Sequence, residues 1–254
     1  MSSNSLTRTE MLQKMVDLMV DLDDVELVKE TYLSLAIQGV LTSENAMPNL
    51  EWPRIAFGEL ADFKAGRTPA RQEGRYWKPE EIPWVSIADL VNDGVVEHTK
   101  EKVSQASQDE VFKAAPSPAG TLLMSFKLTI GKISRLGIDA YFNEAIIAIE
   151  PKSIVTKDYL TLALPSIARG GESKNAIKGK TLNRDSLSKL VIPVPPIQEQ
   201  ERIVKLVRSF FEQLDELGRA LTEQSEARQN AIQGLSHKII AEINETLEVP
   251  ETTD

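Results

Sequence analysis

The longest regular pattern in the chain is a seven-residue repeat toward its C-terminal end. Ile203, Phe210, Leu217, Gln224 and Ala231 recur every seven residues, as do Val207, Leu214, Leu221, Arg228 and Leu235. The two series are offset by four, which is the a/d seam of a coiled coil. The pattern predicts one long helix over residues 197–246, about 70 Å long at ~1.5 Å per residue. Ile203, Val207, Phe210, Leu214, Leu217, Leu221 and Leu235 are the residues expected to pack between two chains, the alternative being a solvated surface helix packed on its own domain. Gln224 and Arg228 place polar groups in the seam, a device that fixes register. The helix has a sharp start. Pro193, Pro195 and Pro196 push their predecessors to extended geometry, so no helix is expected before residue 197.

Two shorter helical patterns lie at the other end. Thr7 and Glu10 form a capping-box pattern ahead of Met11, Leu12, Met15, Val16 and Met19, which predicts a helix at 8–20. Asp23 and Glu26 favour a second start, and Leu27, Val28, Leu35 and Ile37 supply its apolar face. That predicts a helix at 24–39, with Gly39 as its C-cap. Between the helical ends the texture changes to short β-branched or alternating runs at 82–90, 121–126, 132–136 and 145–149, separated by Gly, Pro, Asn and Asp. Short helices are predicted at 157–167 and 183–190. The fold class is therefore α+β. An N-terminal helical arm occupies 1–49, a mixed α/β domain 50–196, the long helix 197–246, and a disordered tail 247–254. The phrase Ala36-Ile37-Gln38-Gly39 returns as Ala231-Ile232-Gln233-Gly234. Each copy falls near the end of a predicted helix, as though the two arms were equivalent in an assembly.

Charge sharpens this division. The chain has 254 residues and a net charge of −9. The charge is −5 over residues 1–50, +2 over 51–190 and −6 over 191–254. The acid sits on the helices and the base in the middle domain. An acidic total does not exclude a nucleic-acid partner, because phosphates respond to local clusters. There is no Cys, which excludes disulfides and thiolate zinc, and only His98 and His237 are available as imidazole ligands. Both are expected at the surface, and no metal site is expected. No apolar run nears the ~18 residues of a membrane span and the N-terminus lacks a signal core, so a cytoplasmic location is expected.

Catalytic motifs are missing where an enzyme would need them. An adenine methyltransferase uses Asn or Asp, two prolines and an aromatic. The single Pro195-Pro196 pair lies between Val194 and Ile197. No glycine-rich turn follows a strand, no Pro-Asp nuclease motif occurs, and no P-loop is present. Asp62-x-Lys64 and Glu172-x-Lys174 are short matches expected by chance in a chain that is 26% charged. No catalytic residue is assigned.

The middle domain instead carries three basic clusters. The first holds Lys64, Arg67, Arg71, Arg75 and Lys78, with Thr68, Tyr76 and Trp77 among them. The second holds Lys127, Lys132 and Arg135, with Thr129. The third holds Arg169, Lys174, Lys178, Lys180 and Arg184, with Thr181 and Asn183. Each lies in a stretch that reads as loop, where recognition residues concentrate. Lys and Arg suit phosphates, while Arg and Asn can also address base edges. Each residue taken singly is also readable as a solvated charge, Tyr76 and Trp77 as strand-edge aromatics, and Thr68, Thr129, Thr181 and Asn183 as turn caps.

Several phrases resemble those of the specificity (S) subunits of Type I restriction–modification enzymes. They are Leu35-Ala36-Ile37-Gln38-Gly39-Val40-Leu41, Lys64-Ala65-Gly66-Arg67-Thr68-Pro69, Ile82-Pro83-Trp84-Val85-Ser86-Ile87-Ala88-Asp89, Gly120-Thr121-Leu122-Leu123-Met124-Ser125-Phe126 with Thr129-Ile130-Gly131-Lys132, and Gly179-Lys180-Thr181-Leu182-Asn183 running to Pro193-Val194-Pro195-Pro196-Ile197-Gln198-Glu199-Gln200. The resemblance implies that residues 50–196 form a DNA target recognition domain reading half of a bipartite double-stranded site. It implies that the chain docks adenine-methyltransferase subunits, that S-adenosylmethionine is bound by those partners and not by this chain, and that a restriction/translocase subunit can join. Family members usually carry two recognition domains in tandem. The single domain here suggests a half-subunit that forms a homodimer. A reading from a different class is a coiled-coil adaptor whose middle domain binds protein.

Overall fold

A computed structural model describes residues 22–42, 51–173 and 182–247. The predicted helix at 8–20, the residues Lys174, Lys178, Lys180 and Thr181, and the tail beyond 247 lie outside them.

The chain enters the described region on helix α1, Leu22–Ile37. Gly39 ends the helix at φ 77°, where a residue without Cβ is unstrained. Gly39 N–H donates to Ala36 O at 3.0 Å and Val40 N–H to Leu35 O at 3.0 Å, the paired bonds of a Schellman cap. Val40 and Leu41 then turn into the core.

Strand β1, Arg54–Ala56, pairs antiparallel with β10, Val191–Pro193, so the two ends of the domain close on each other. Between them lie the short helix α2, Phe57–Leu60, and β2, Ala61–Ala65. Strand β3 is Ile82–Val85, β4 is Gly94–Val96 and β5 is Glu101–Val103. A helical turn, α3, spans Gln105–Ser107. Then come β6, Leu122–Ser125; β7, Ile133–Leu136; β8, Tyr141–Phe142; and β9, Ile146–Pro151. Helix α4 is Lys157–Ser173 and α5 is Arg184–Ser188. The sheets run β2-β9-β6-β7-β4 and β5-β3-β8.

Side-chain alternation explains why the central strands read as unbroken apolar runs. Leu122 and Met124 of β6, with Ile147 and Ile149 of β9, face a core shared with α1, α4 and the C-terminal helix. Leu123, Ile146 and Ala148 face the opposite way, against Val85, Leu90, Val96 and Phe142. Both faces of the sheet are covered, so neither parity is polar. The predicted strand at 82–90 stops early. Asp89 Oδ2 accepts from Ser86 N–H at 2.8 Å and Ser86 Oγ at 2.7 Å, which curls Ile87–Asp89 into a 3-10 turn.

The C-terminal helix, α6, is Ile197–Leu247 and begins directly after Pro196, as the prolines require. Its start is locked from the side. Gln200 is fully buried, its Oε1 accepting from Thr156 N–H at 2.8 Å and its Nε2 donating to Ile154 O and Pro195 O, both at 2.9 Å. The buried Tyr159 hydroxyl donates to Pro193 O at 2.8 Å, and burial pushes its pKa up, so it remains a donor.

The predicted two-chain seam requires correction over its first half. Ile203 and Val207 are buried in the domain's own core, and Leu214 packs on Val25 and Val28 of α1. Phe210 stacks on Tyr32 with centroids 3.8 Å apart, and Lys29 pairs with Asp215. These contacts place α1 antiparallel on α6, within one chain. Leu217 and Leu221 are partly buried, and Leu221 packs on the same cluster as Leu214. The side chains of Gln224, Arg228 and Leu235 lie outside the description. The repeated phrase also behaves differently in its two settings. The first copy caps α1, whereas Gly234 lies inside the continuous α6. Only the first is followed by a pair of apolar residues, Val40 and Leu41, that the core takes in.

Candidate nucleic-acid interface

The first basic cluster begins where β2 ends. Gly66 is required there, because a Cβ would lie 2.0 Å from Phe142 O and 2.4 Å from Asn143 O. That close approach lets Gly66 N–H donate to Ile146 O at 3.0 Å and Arg67 N–H to Phe142 O at 2.9 Å. Thr68 is thereby carried to Glu144, to which its hydroxyl donates. That bond holds the Glu144 carboxyl below its ordinary range, with Lys127 and Arg71 reinforcing the effect.

Further along, the cluster is largely consumed by the domain itself. Arg71 makes a two-pronged pair with Glu101 at 2.5 and 3.1 Å and lies 3.9 Å over the Trp77 ring and 5.0 Å over Trp84. Trp77 packs edge-on to Trp84 and its indole N–H donates to Ala70 O at 3.2 Å. Arg75 pairs with Glu110 at 2.7 Å, and Tyr76 Oη donates to the same carboxylate at 3.0 Å. Lys78 pairs with Glu80. Arg67 keeps its side chain exposed but donates to Val111 O at 2.8 Å. Lys64 is exposed on β2 beside two shallow clefts of about 300 and 250 Å³ that share Ser117.

The second cluster forms the hairpin between β6 and β7. Ser125, fully buried, ties the turn from inside. Its N–H donates to Lys132 O at 2.9 Å, its carbonyl accepts from Gly131 N–H at 2.9 Å, and its Oγ accepts from Lys132 N–H at 3.1 Å while donating to Thr129 O. Lys127 Nζ lies 5.3 Å over the Phe126 ring and Lys132 Nζ reaches Ile87 O at 3.3 Å. Among the described residues neither forms an ion pair with a carboxylate. Thr129 is exposed. Arg135, at the far end of β7, is committed to Asp158 at 2.8 Å.

Three segments distant in sequence therefore meet at one edge. Phe126 N–H donates to Ala145 O at 2.9 Å, next to the Glu144 that holds Thr68. On the other flank, Arg169 Nη1 of α4 donates to Gly131 O at 3.3 Å. The Asn183 side chain accepts from Ser186 N–H at 2.8 Å and caps α5. Arg184 lies 5.7 Å over Phe63. Beneath the hairpin, a cavity of about 710 Å³ separates it from α1 and α6, with Lys29, Arg169 and Arg208 opposed by Glu30, Asp93 and Glu212. Arg208 of α6 spans the junction, reaching Asp158 at 3.0 Å and Asp93 at 3.4 Å. Sequence reading missed Gln200, Ser125 and Arg208. Gln200 carried a signal, as a polar residue one turn into a helix that starts at a proline pair.

Among the described residues no helix is long and apolar enough to cross a membrane, and no group of three or more His, Asp or Glu is placed to hold a metal ion.

Comparison with known proteins agrees with this architecture. The chain is 27% identical over 193 residues to the Type I restriction enzyme EcoR124I/EcoR124II specificity subunit of Escherichia coli, covering 71% of this chain and 45% of that protein. It is 25% identical over 175 residues to the Type I restriction enzyme MjaIX specificity subunit of Methanocaldococcus jannaschii, covering 65% of this chain and 39% of that protein. The chain thus spans less than half the length of these curated relatives. Its fold resembles the HsdS subunit from Thermoanaerobacter tengcongensis, with a TM-score of 0.53 at 19% identity over 85% of this chain and 47% of that one. It also resembles a chain from a solved type I R-M system, with a TM-score of 0.59 at 18% identity over 91% of this chain and 58% of that one. The family model for the Type I restriction modification DNA specificity domain matches residues 49–227, and the chain belongs to that family.

Proposed function

We propose that the domain between β1 and β10 reads one half of a bipartite DNA target and that the helical arm docks adenine-methyltransferase subunits. The observation that carries this reading is the edge where Lys127, Lys132, Thr129 and Arg169 meet around one pinned hairpin. Cations without carboxylate partners suit phosphates, and a two-stranded ribbon fits a major groove about 12 Å wide. Helix α6 extends this edge into an arm of 51 residues, anchored by Gln200 and Arg208, so its angle to the DNA-facing edge is held. In this reading S-adenosylmethionine belongs to the methyltransferase partner, and a restriction/translocase subunit completes the system. The other half of the target falls to a second recognition domain, that of a second copy of the chain. A two-fold axis then makes the half-sites identical and inverted.

The chain, purified with its methyltransferase subunit, is titrated onto duplex DNA, and methylated positions are mapped in cells carrying both. Sequence-selective binding and a split, inverted motif are expected. An asymmetric motif overturns the second copy, and no DNA binding in the complex overturns the whole reading in favour of a protein-binding adaptor.

A further inference from the structure

We propose that Leu128, at the tip of the β6–β7 hairpin, reads a base directly by packing on the 5-methyl group of a thymine. This rests on the DNA-recognition reading above. Leu128 is 89% exposed, against 62% for Leu27, the next most exposed large apolar residue described. Its φ is 63°, in the left-handed region that disfavours a branched side chain. So a leucine stands in water on a backbone where glycine would be easier. Among the described residues Leu128 joins none of the apolar clusters, so packing within the chain offsets neither cost.

The turn that carries it is held on every side. The buried Ser125 bonds the hairpin internally, Phe126 N–H bonds Ala145 O at 2.9 Å, and Arg169 bonds Gly131 O at 3.3 Å. The apolar group is therefore presented by a rigid support. Its neighbours are unsuited to a protein docking patch. Lys127 and the exposed Thr129 flank it, and Lys132 closes the turn. That surrounding is complementary to phosphate. Within a major groove, the thymine methyl is the apolar group that an unmodified base edge presents. A hairpin entering with Lys127 and Lys132 toward the backbones brings Leu128 to the base edges. The geometry points to an A·T pair at a fixed position in the half-site, with the thymine methyl against Leu128.

The test uses the complex of the chain with its methyltransferase and the duplex defined by methylation mapping. Each thymine of the half-site is replaced singly by deoxyuridine, which lacks only the methyl. One replacement is expected to weaken wild-type binding roughly fourfold, the value of one buried methyl group. Leu128→Gly is expected to bind the unmodified duplex more weakly and to ignore every uracil. Its melting temperature should be unchanged or higher, since glycine accepts this φ. Wild-type indifference to every uracil, or equal sensitivity in L128G, overturns the proposal while leaving DNA recognition standing. Loss of the methyltransferase from the L128G complex makes Leu128 a protein contact and also overturns it. If wild type does not prefer the mapped duplex to random DNA, the DNA reading falls and the role of Leu128 with it.

Discussion

Residues 64–78 and 126–132 are both basic loops, yet the fold treats them in opposite ways. In the first, three of the five cations pair with carboxylates, Arg71 with Glu101, Arg75 with Glu110 and Lys78 with Glu80, while Lys64 and Arg67 stay exposed without a carboxylate partner among the described residues. Its aromatics are engaged too, Trp77 against Trp84 and under Arg71. The second is pinned by a buried serine and by neighbouring backbone, and among the described residues Lys127 and Lys132 are positioned without a close ion pair, Lys127 acting on Glu144 only at longer range. The denser cluster in sequence is the more internally paired one, and the sparser cluster is the one the proposed reading turns toward a polyanion. Charge density along a chain does not measure the charge available to a partner.

Three perturbations sharpen that contrast. The largest effect is expected from Trp84→Ala. It removes the 2%-exposed ring on which Trp77 and Arg71 rest and should cost about 3–5 kcal/mol in urea unfolding, the usual range for an aromatic deleted from a core. A cost below about 1 kcal/mol, outside that range, would show that the platform is not structural. Asn183→Ala removes a helix cap at an exposed site and should cost about 1 kcal/mol, leaving the salt dependence of DNA binding untouched. A changed salt dependence would return Asn183 to the interface. The smallest effect concerns pH. The Thr68 hydroxyl lowers the Glu144 pKa, so the folded state gains stability above the ordinary carboxylate range and loses it as pH falls through the lowered value. In acid melting curves Glu144→Gln should flatten that part of the fall. Identical curves would detach Thr68 and Glu144 from the edge's stability.

The contrast also explains what was legible in the sequence. Strands β6, β7 and β9 were visible because both faces are buried and the apolar run is continuous. β1 and β2 were not, since three to five residues with polar members become strands only by pairing with a distant segment. The long helix was read correctly at its start, where proline geometry is local. The covering of its seam was misread, because a heptad shows that Ile203, Val207 and Leu214 are buried but not by what. Here α1 and the domain cover them. The partners of the first basic cluster were hidden for the same reason: Glu101 and Glu110 lie 30 and 35 residues from the arginines they bind. Lys174, Lys178, Lys180 and Thr181 remain expectations for the interface.

The central claim is that DNA is held at the hairpin edge and not at the tryptophan platform. Its most direct test is the salt dependence of duplex binding by the methyltransferase complex, comparing Lys127→Ala/Lys132→Ala with Arg71→Ala/Arg75→Ala. Each lost phosphate contact should reduce the slope of log K against log salt by about 0.9. The hairpin pair should therefore lose about 1.8 with its melting temperature unchanged. The platform pair should melt lower and keep its slope. The reverse outcome, a reduced slope for the arginine pair and an intact one for the lysine pair, would contradict the account.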